Sequence, residues 1–164
     1  MSRLVCAASL ALLLSGCGDN LLGGSLSEIF PLDVSRVEVY RNEEALQITY
    51  YFNRNVFLDV VVRVSVYIAD QTIKPDARLD LAGEYAPGHP RTVVAHAPGG
   101  EPVRLLPRVH KGDLHIISGG DPGVVTRGDF SMVFENEGGD IGFGRTLTGG
   151  FSAQTVDAGF GELP

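Results

Sequence analysis

The stretch Val56-Phe57-Leu58-Asp59-Val60-Val61-Val62-Arg63-Val64-Ser65-Val66-Tyr67-Ile68 decides the fold. Seven of its thirteen residues are Val or Ile, whose branched Cβ crowds a helical turn and suits a pleated surface. Read with period two, Val60, Val62, Val64, Val66 and Ile68 share one face and Asp59, Val61, Arg63, Ser65 and Tyr67 the other. This predicts a long central strand. If the second face were core, Asp59 and Arg63 would both need partners, because an unpaired buried charge is costly. That face is therefore expected to be half exposed, leaving Val61 and Tyr67 as a modest apolar surface for a partner.

The same period extends outward in both directions. Upstream, Val37 and Val39 alternate with polar residues in Asp33–Arg41, and Leu46, Ile48, Tyr50 and Phe52 share one face of Ala45–Asn53. Asn42-Glu43-Glu44 joins these two as a hairpin, and Asn53-Arg54-Asn55 forms a second tight turn, since Asn tolerates positive φ. Downstream, Asp70–Pro90 reads mostly as loop with a short strand at Arg78–Leu81. Arg91–Ala97 and Pro102–Val109 flank the hairpin signal Pro98-Gly99-Gly100. A turn at His110–Asp113 precedes a strand over Leu114–Ser118, with Leu114 and Ile116 inward and His115 outward. Phe130, Met132 and Phe134 share a face of Asp129–Glu135. In Arg145–Val156, Leu147, Phe151 and Ala153 point inward, and Gly149 and Gly150 mark a bulge or a close backbone approach.

About eight strands with short links and no sustained helical period predict an all-β chain. The expected architecture is an antiparallel β-sandwich with immunoglobulin-like layering. A small closed β-barrel is the alternative, because alternating strands also close on themselves.

Composition agrees with a turn-rich β protein: the 164 residues include 21 Gly and 9 Pro, spread between short apolar runs. The length suits one globular domain, alone or behind a processed leader. With 20 acidic against 13 basic residues and a net charge of −7, the chain lacks the clustered Lys and Arg that phosphate binding requires, so nucleic acid is not an expected partner.

Residues 1–17 read MSRLVCAASLALLLSGC. Arg3 precedes a largely apolar run from Leu4 to Leu14, the pattern of a secretory signal and far short of the roughly 20 residues a membrane-spanning helix needs. Leu14-Ser15-Gly16-Cys17 follows at once. This segment resembles the lipobox of bacterial lipoproteins, a resemblance confined to the first 17 residues. It implies cleavage before Cys17, a diacylglyceryl thioether on the Cys17 sulfur and, in many Gram-negative bacteria, a further acyl chain on its amine. An ordinary signal peptide whose cleavage site contains Cys is the alternative. Two or more acyl chains anchor stably where one binds only marginally. Cys6 would leave with the leader, so no disulfide is expected.

In the best-studied Gram-negative sorting rule, Asp directly after the lipidated Cys retains the protein in the inner membrane. Gly18 stands there, so the resemblance implies the outer membrane, with a Gram-positive host left open. The expected organisation is a signal at 1–16, lipidated Cys17 and a tether to residue 28, a β domain over 29–157, and a tail over 158–164. Leu21 and Leu22 in the tether either touch lipid or dock on the domain.

The motifs that carry chemistry are weak. His89, His96, His110 and His115 lack helical i, i+4 or strand His-x-His spacing, so a metal is not expected, and His110 and His115 read as the ends of one turn. Glu135–Asp140 offers oxygen ligands and glycines but not the EF-hand register; it reads as an acidic turn, with a weak calcium site as the alternative. Gly142–Thr146 lacks the third Gly and the Lys-Ser/Thr of a phosphate loop. Ser118 follows His115 by three residues without a recognisable third group, and no Gly-x-Ser-x-Gly elbow exists. No catalytic residue, metal or cofactor is therefore assigned, and the single site residue is Cys17 as the lipid attachment. The sequence reads as a lipid-anchored envelope protein acting in binding, adhesion or structural support, with a protein or glycan partner. A membrane-tethered hydrolase and a calcium-dependent module are the alternatives.

Overall fold

The computed structural model describes residues 20–54, 57–99, 101–135, 141 and 144–158. Nearly all of the regular structure is strand: β1 (Leu21–Gly23), β2 (Arg36–Arg41), β3 (Ala45–Arg54), β4 (Phe57–Tyr67), β5 (Ala77–Asp80), β6 (Glu84–Ala86), β7 (His89–Pro90), β8 (Thr92–Ala97), β9 (Arg104–Leu105), β10 (Val109–Ser118), β11 (Val125–Phe134) and β12 (Thr146–Asp157). A 3-10 turn, Ser25–Glu28, follows β1. The all-β expectation holds.

Nine strands run in the order β5-β10-β11-β12-β2-β3-β4-β8-β9, with β1 attached to β12, and the sheet curls into a half-barrel. β6 and β7 form a separate two-stranded hairpin. The pairing is antiparallel except at β12–β2, where Thr155–Asp157 runs parallel to Val39–Arg41, so the sheet is mixed. Among the described residues β5 and β9 end the order without pairing to each other, so the closed barrel does not form. Inside the curl, Leu46, Ile48, Tyr50, Val62, Val64 and Val66 join Leu114, Ile116, Phe130, Met132, Leu147 and Phe151 in one buried cluster. Tyr50 meets Phe130 edge-on, with ring centroids 6.1 Å apart.

Local chemistry explains the links that matched. Asn42 Oδ1 accepts the N–H groups of Glu44 and Ala45, closing the β2–β3 turn as an Asx motif. Five expectations are corrected. The His110–Asp113 turn is continuous strand, and Gly112 within it abuts β11 so closely that a Cβ would come within 2.8 Å of the Met132 Cβ. His110 and His115 therefore lie along one strand rather than at the ends of a turn.

Pro102–Val109 shrinks to the pair Arg104–Leu105, and its prolines lack the N–H a longer ladder requires. Part of the expected loop before Pro90 is the β6–β7 hairpin, turning at Gly88 with φ +79°. The chain from Leu21 to Glu28, expected as tether, is docked: β1 pairs with Thr148–Gly150 and Leu26 is fully buried.

Val61, expected at a half-exposed face, is buried together with Val62. Register shifts at Tyr50/Tyr51 on the β3 side and between Val60 and Arg63 on the β8 side break the alternation there. Tyr67 is half buried and stacks on Tyr85 at 3.9 Å, so the apolar surface proposed for the pair is already covered by the chain itself.

Candidate functional site

The irregularity in β4 lies beside a concavity. β8 runs antiparallel to β4 and brings His96 beside the bulge, where its Nδ1 lies 2.7 Å from the Val61 carbonyl oxygen. A carbonyl only accepts, so Nδ1 carries the proton in that contact. Phe30, from the segment after the 3-10 turn, stacks on the His96 ring with centroids 4.1 Å apart and planes 14° from parallel. Asp59 is buried on the same strand and accepts the Gly99 N–H.

Pro31, Asp33, Phe52, Asp59, Val61, His96 and Pro98 enclose a cavity of about 170 Å³. His96 and Pro98 also border a wider cleft of about 530 Å³, walled by Ile29, Phe30, Glu101, Pro102, Val103 and Arg104. The two share a rim, so the cleft deepens at His96. Carboxylates, one imidazole and apolar walls suit binding of a small group that donates hydrogen bonds. No hydroxyl or thiol nucleophile stands among the residues named.

The sequence singled out His96 and Asp59 for separate reasons, and the β4–β8 pairing brings both to one cavity. The other histidines are dispersed. His89 lies on β7 with its ring 5.7 Å from that of Tyr85, and His110 is exposed on β10. His115 Nε2 is 3.0 Å from Asp76 Oδ1 and its Nδ1 3.6 Å from Asp129 Oδ2, so both nitrogens face carboxylates. No hydrogen bond joins it to Ser118 among the described residues. No cluster of three or more metal-ligating side chains occurs among the described residues. Of the acidic turn Glu135–Asp140 only Glu135 is described, and Gly142 and Phe143 of the glycine-rich Gly142–Thr146 stretch likewise fall outside the described residues. Cys17 also lies outside them.

A second polar surface covers the outer side of β2–β4. Arg36 lies over the Tyr51 ring at 4.8 Å and pairs with Glu38 at 3.1 Å. Tyr40 donates its hydroxyl to Glu38 Oε2 at 2.5 Å, and that hydrogen bond, with burial, raises its pKa to about 12. Thr49 is fully buried beside them, with no hydrogen-bond partner for its hydroxyl among the described residues.

No family model, curated protein or solved structure matches the chain.

Proposed function

We propose that this chain is a lipoprotein of the bacterial cell envelope, held on a membrane by acyl chains on Cys17, whose β domain is a non-catalytic module for binding, adhesion or structural support. The observation that carries the reading is Leu14-Ser15-Gly16-Cys17 directly after an apolar run headed by Arg3. Gly18 in place of Asp favours the outer membrane. The docked β1 strand supports it further, because the folded domain begins within a few residues of the thiol. A protein or glycan partner has the His96 cleft as its natural seat. The layered, sandwich-like reading of the curled sheet is supported by Tyr50 of β3, which donates its hydroxyl to the Gly150 carbonyl of β12 at 3.0 Å across the core.

The test is mass analysis of the protein made in bacterial cells. The expected N-terminal peptide begins at Cys17 and carries the diacylglyceryl mass, and Cys17→Ser leaves an uncleaved or soluble, unacylated product. An unmodified residue 17 in the wild-type protein would overturn the proposal.

A further inference from the structure

Eight large apolar side chains are exposed among the described residues, and their distribution along the sheet is uneven. Leu58, Val103 and Leu105 belong to the β4, β8 and β9 side that carries the His96 cleft. Ile117, Val124, Val125 and Val156 are each about half exposed and gather at the opposite end of the strands. Pairing fixes their neighbourhood. Thr155 N–H donates to the Val124 carbonyl at 2.9 Å, Val125 stands opposite Gln154, and Ser118, next to Ile117, stands opposite Arg127.

The N-terminal chain heads for the same corner. β1 runs antiparallel to β12, Leu21 is opposite Gly150, and Asn20 Oδ1 accepts the Ser152 N–H at 2.7 Å. β1, followed back from Gly23 to Asn20, points along β12 toward Gln154 and Val156. Only Gly18 and Asp19 separate Cys17 from Asn20. Three residue steps reach at most about 10 Å, and the four from Ser152 to Val156 cover about 13 Å. A lipid on Cys17 therefore enters the bilayer within reach of this corner.

We propose that the corner formed by Ile117, Val124, Val125 and Val156 rests on the lipid surface and fixes the orientation of the domain, with the His96 cleft turned to the aqueous side. The inference depends on acylation of Cys17. Anchoring confines the domain near the surface, where a small apolar patch makes contact without further loss of translational freedom. The exposed Glu43 and Glu44 on the adjoining β2–β3 turn, at the same end of the strands, limit the contact to the β10–β11–β12 corner and disfavour anionic lipid.

The test uses the full, cell-made lipoprotein in vesicles of zwitterionic phosphatidylcholine containing a nitroxide-labelled lipid. Acylation consumes the sulfur of Cys17, so Val125→Cys, Val156→Cys and Leu105→Cys each add one labelling site for a fluorophore. The expected result is several-fold stronger quenching at positions 125 and 156 than at 105. Equal quenching in a protein that sediments with the vesicles would overturn the orientation while leaving the anchor intact. Failure to sediment, with no acyl mass on residue 17, would remove the anchor and the proposal together.

Discussion

Phe130 of β11 stands directly across from Gly149 of β12, and a Cβ on that glycine would come within 2.5 Å of the phenyl Cζ. Two residues away the arrangement is reversed: Phe151 of β12 stands across from Gly128 of β11, where a Cβ would meet Phe151 Cζ at 2.6 Å and the His115 carbonyl oxygen at 2.5 Å. Both rings are almost fully buried. Each phenyl lies flat over the partner strand's glycine, which lets two bulky rings fill the core side of adjacent strands without colliding.

Alanine at either glycine should therefore overpack the core by about 1–3 kcal/mol. Gly128→Ala should lose more than Gly149→Ala, because the obstacle at Gly128 includes a backbone carbonyl held in the β10–β11 ladder. Urea unfolding of both variants measures this, and wild-type midpoints would show that the rings swing aside.

Thr49 and Thr92 bury hydroxyls that find no hydrogen-bond partner among the described residues. An unpaired buried polar group is destabilising, and valine keeps the branched shape that a strand favours. Thr49→Val and Thr92→Val should each raise stability, by about 1 kcal/mol. A lowered thermal midpoint would mean that the hydroxyl is satisfied in solution.

Alkaline pH should unfold the protein. Burial raises the Tyr50 pKa well above its ordinary value, and the Glu38 carboxylate raises that of Tyr40 to about 12. A group whose folded pKa lies above its unfolded value contributes stability that is complete below the unfolded pKa of about 10 and is lost as pH rises toward the folded one. Tyr50→Phe should flatten this loss. At neutral pH it should lower stability by about 0.5–1.5 kcal/mol, through loss of the hydrogen bond to Gly150. Denaturant titrations at pH 8 and pH 11 separate the two effects.

Acid acts through carboxylates. Asp70 is held below its ordinary pKa by the side-chain hydrogen bonds from Arg91, at 2.9 Å to each oxygen. Glu84 is held down by the Gly88 N–H and then by Arg108. Lowered folded values mean stability present above the unfolded pKa and lost as pH falls through the folded one. Asp70→Asn should remove part of the slope below pH 4 by lowering stability at pH 7 while changing little once the wild-type carboxylate is protonated, as thermal melts across that range would reveal.

The N-terminal segment should unfold with the domain. Leu26 is fully buried, and Ser25 and Thr146 exchange hydrogen bonds, with Ser25 N–H donating to Thr146 Oγ1 at 3.0 Å and Thr146 N–H to Ser25 Oγ at 3.0 Å. Leu26→Ala should cost about 2–5 kcal/mol in a single transition. A separate early transition for the segment, followed by hydrogen exchange, would contradict this.

The candidate site was legible only in pieces. Asp59 drew attention as a charge inside an apolar strand and His96 as one of four histidines, 37 positions along the chain from it. Nothing local to either residue signals that β8 pairs with β4, that the ladder slips between Val60 and Arg63, or that Phe30 stacks on the imidazole. Phe30 itself carried no signal beyond its hydrophobicity. Gly112 misled because glycine beside Asp113 reads as a turn, whereas its lack of a side chain serves close contact with Met132.

Period-two alternation determined the β character of β3, β4, β11 and β12 and the inward residues Leu46, Ile48, Tyr50, Phe130, Met132, Phe134, Leu147 and Phe151, because side-chain direction along an extended chain is a local property. The lipobox resemblance, on which the proposed anchor rests, is likewise read from consecutive residues. Tertiary structure alone decided that Val61 is buried, that Leu21–Glu28 docks instead of dangling, and that a parallel seam between β12 and β2 makes the curled sheet mixed. Each of those outcomes depends on which distant segment arrives to cover or pair with a strand, and the free energy of such contacts is set by geometry summed over the whole chain.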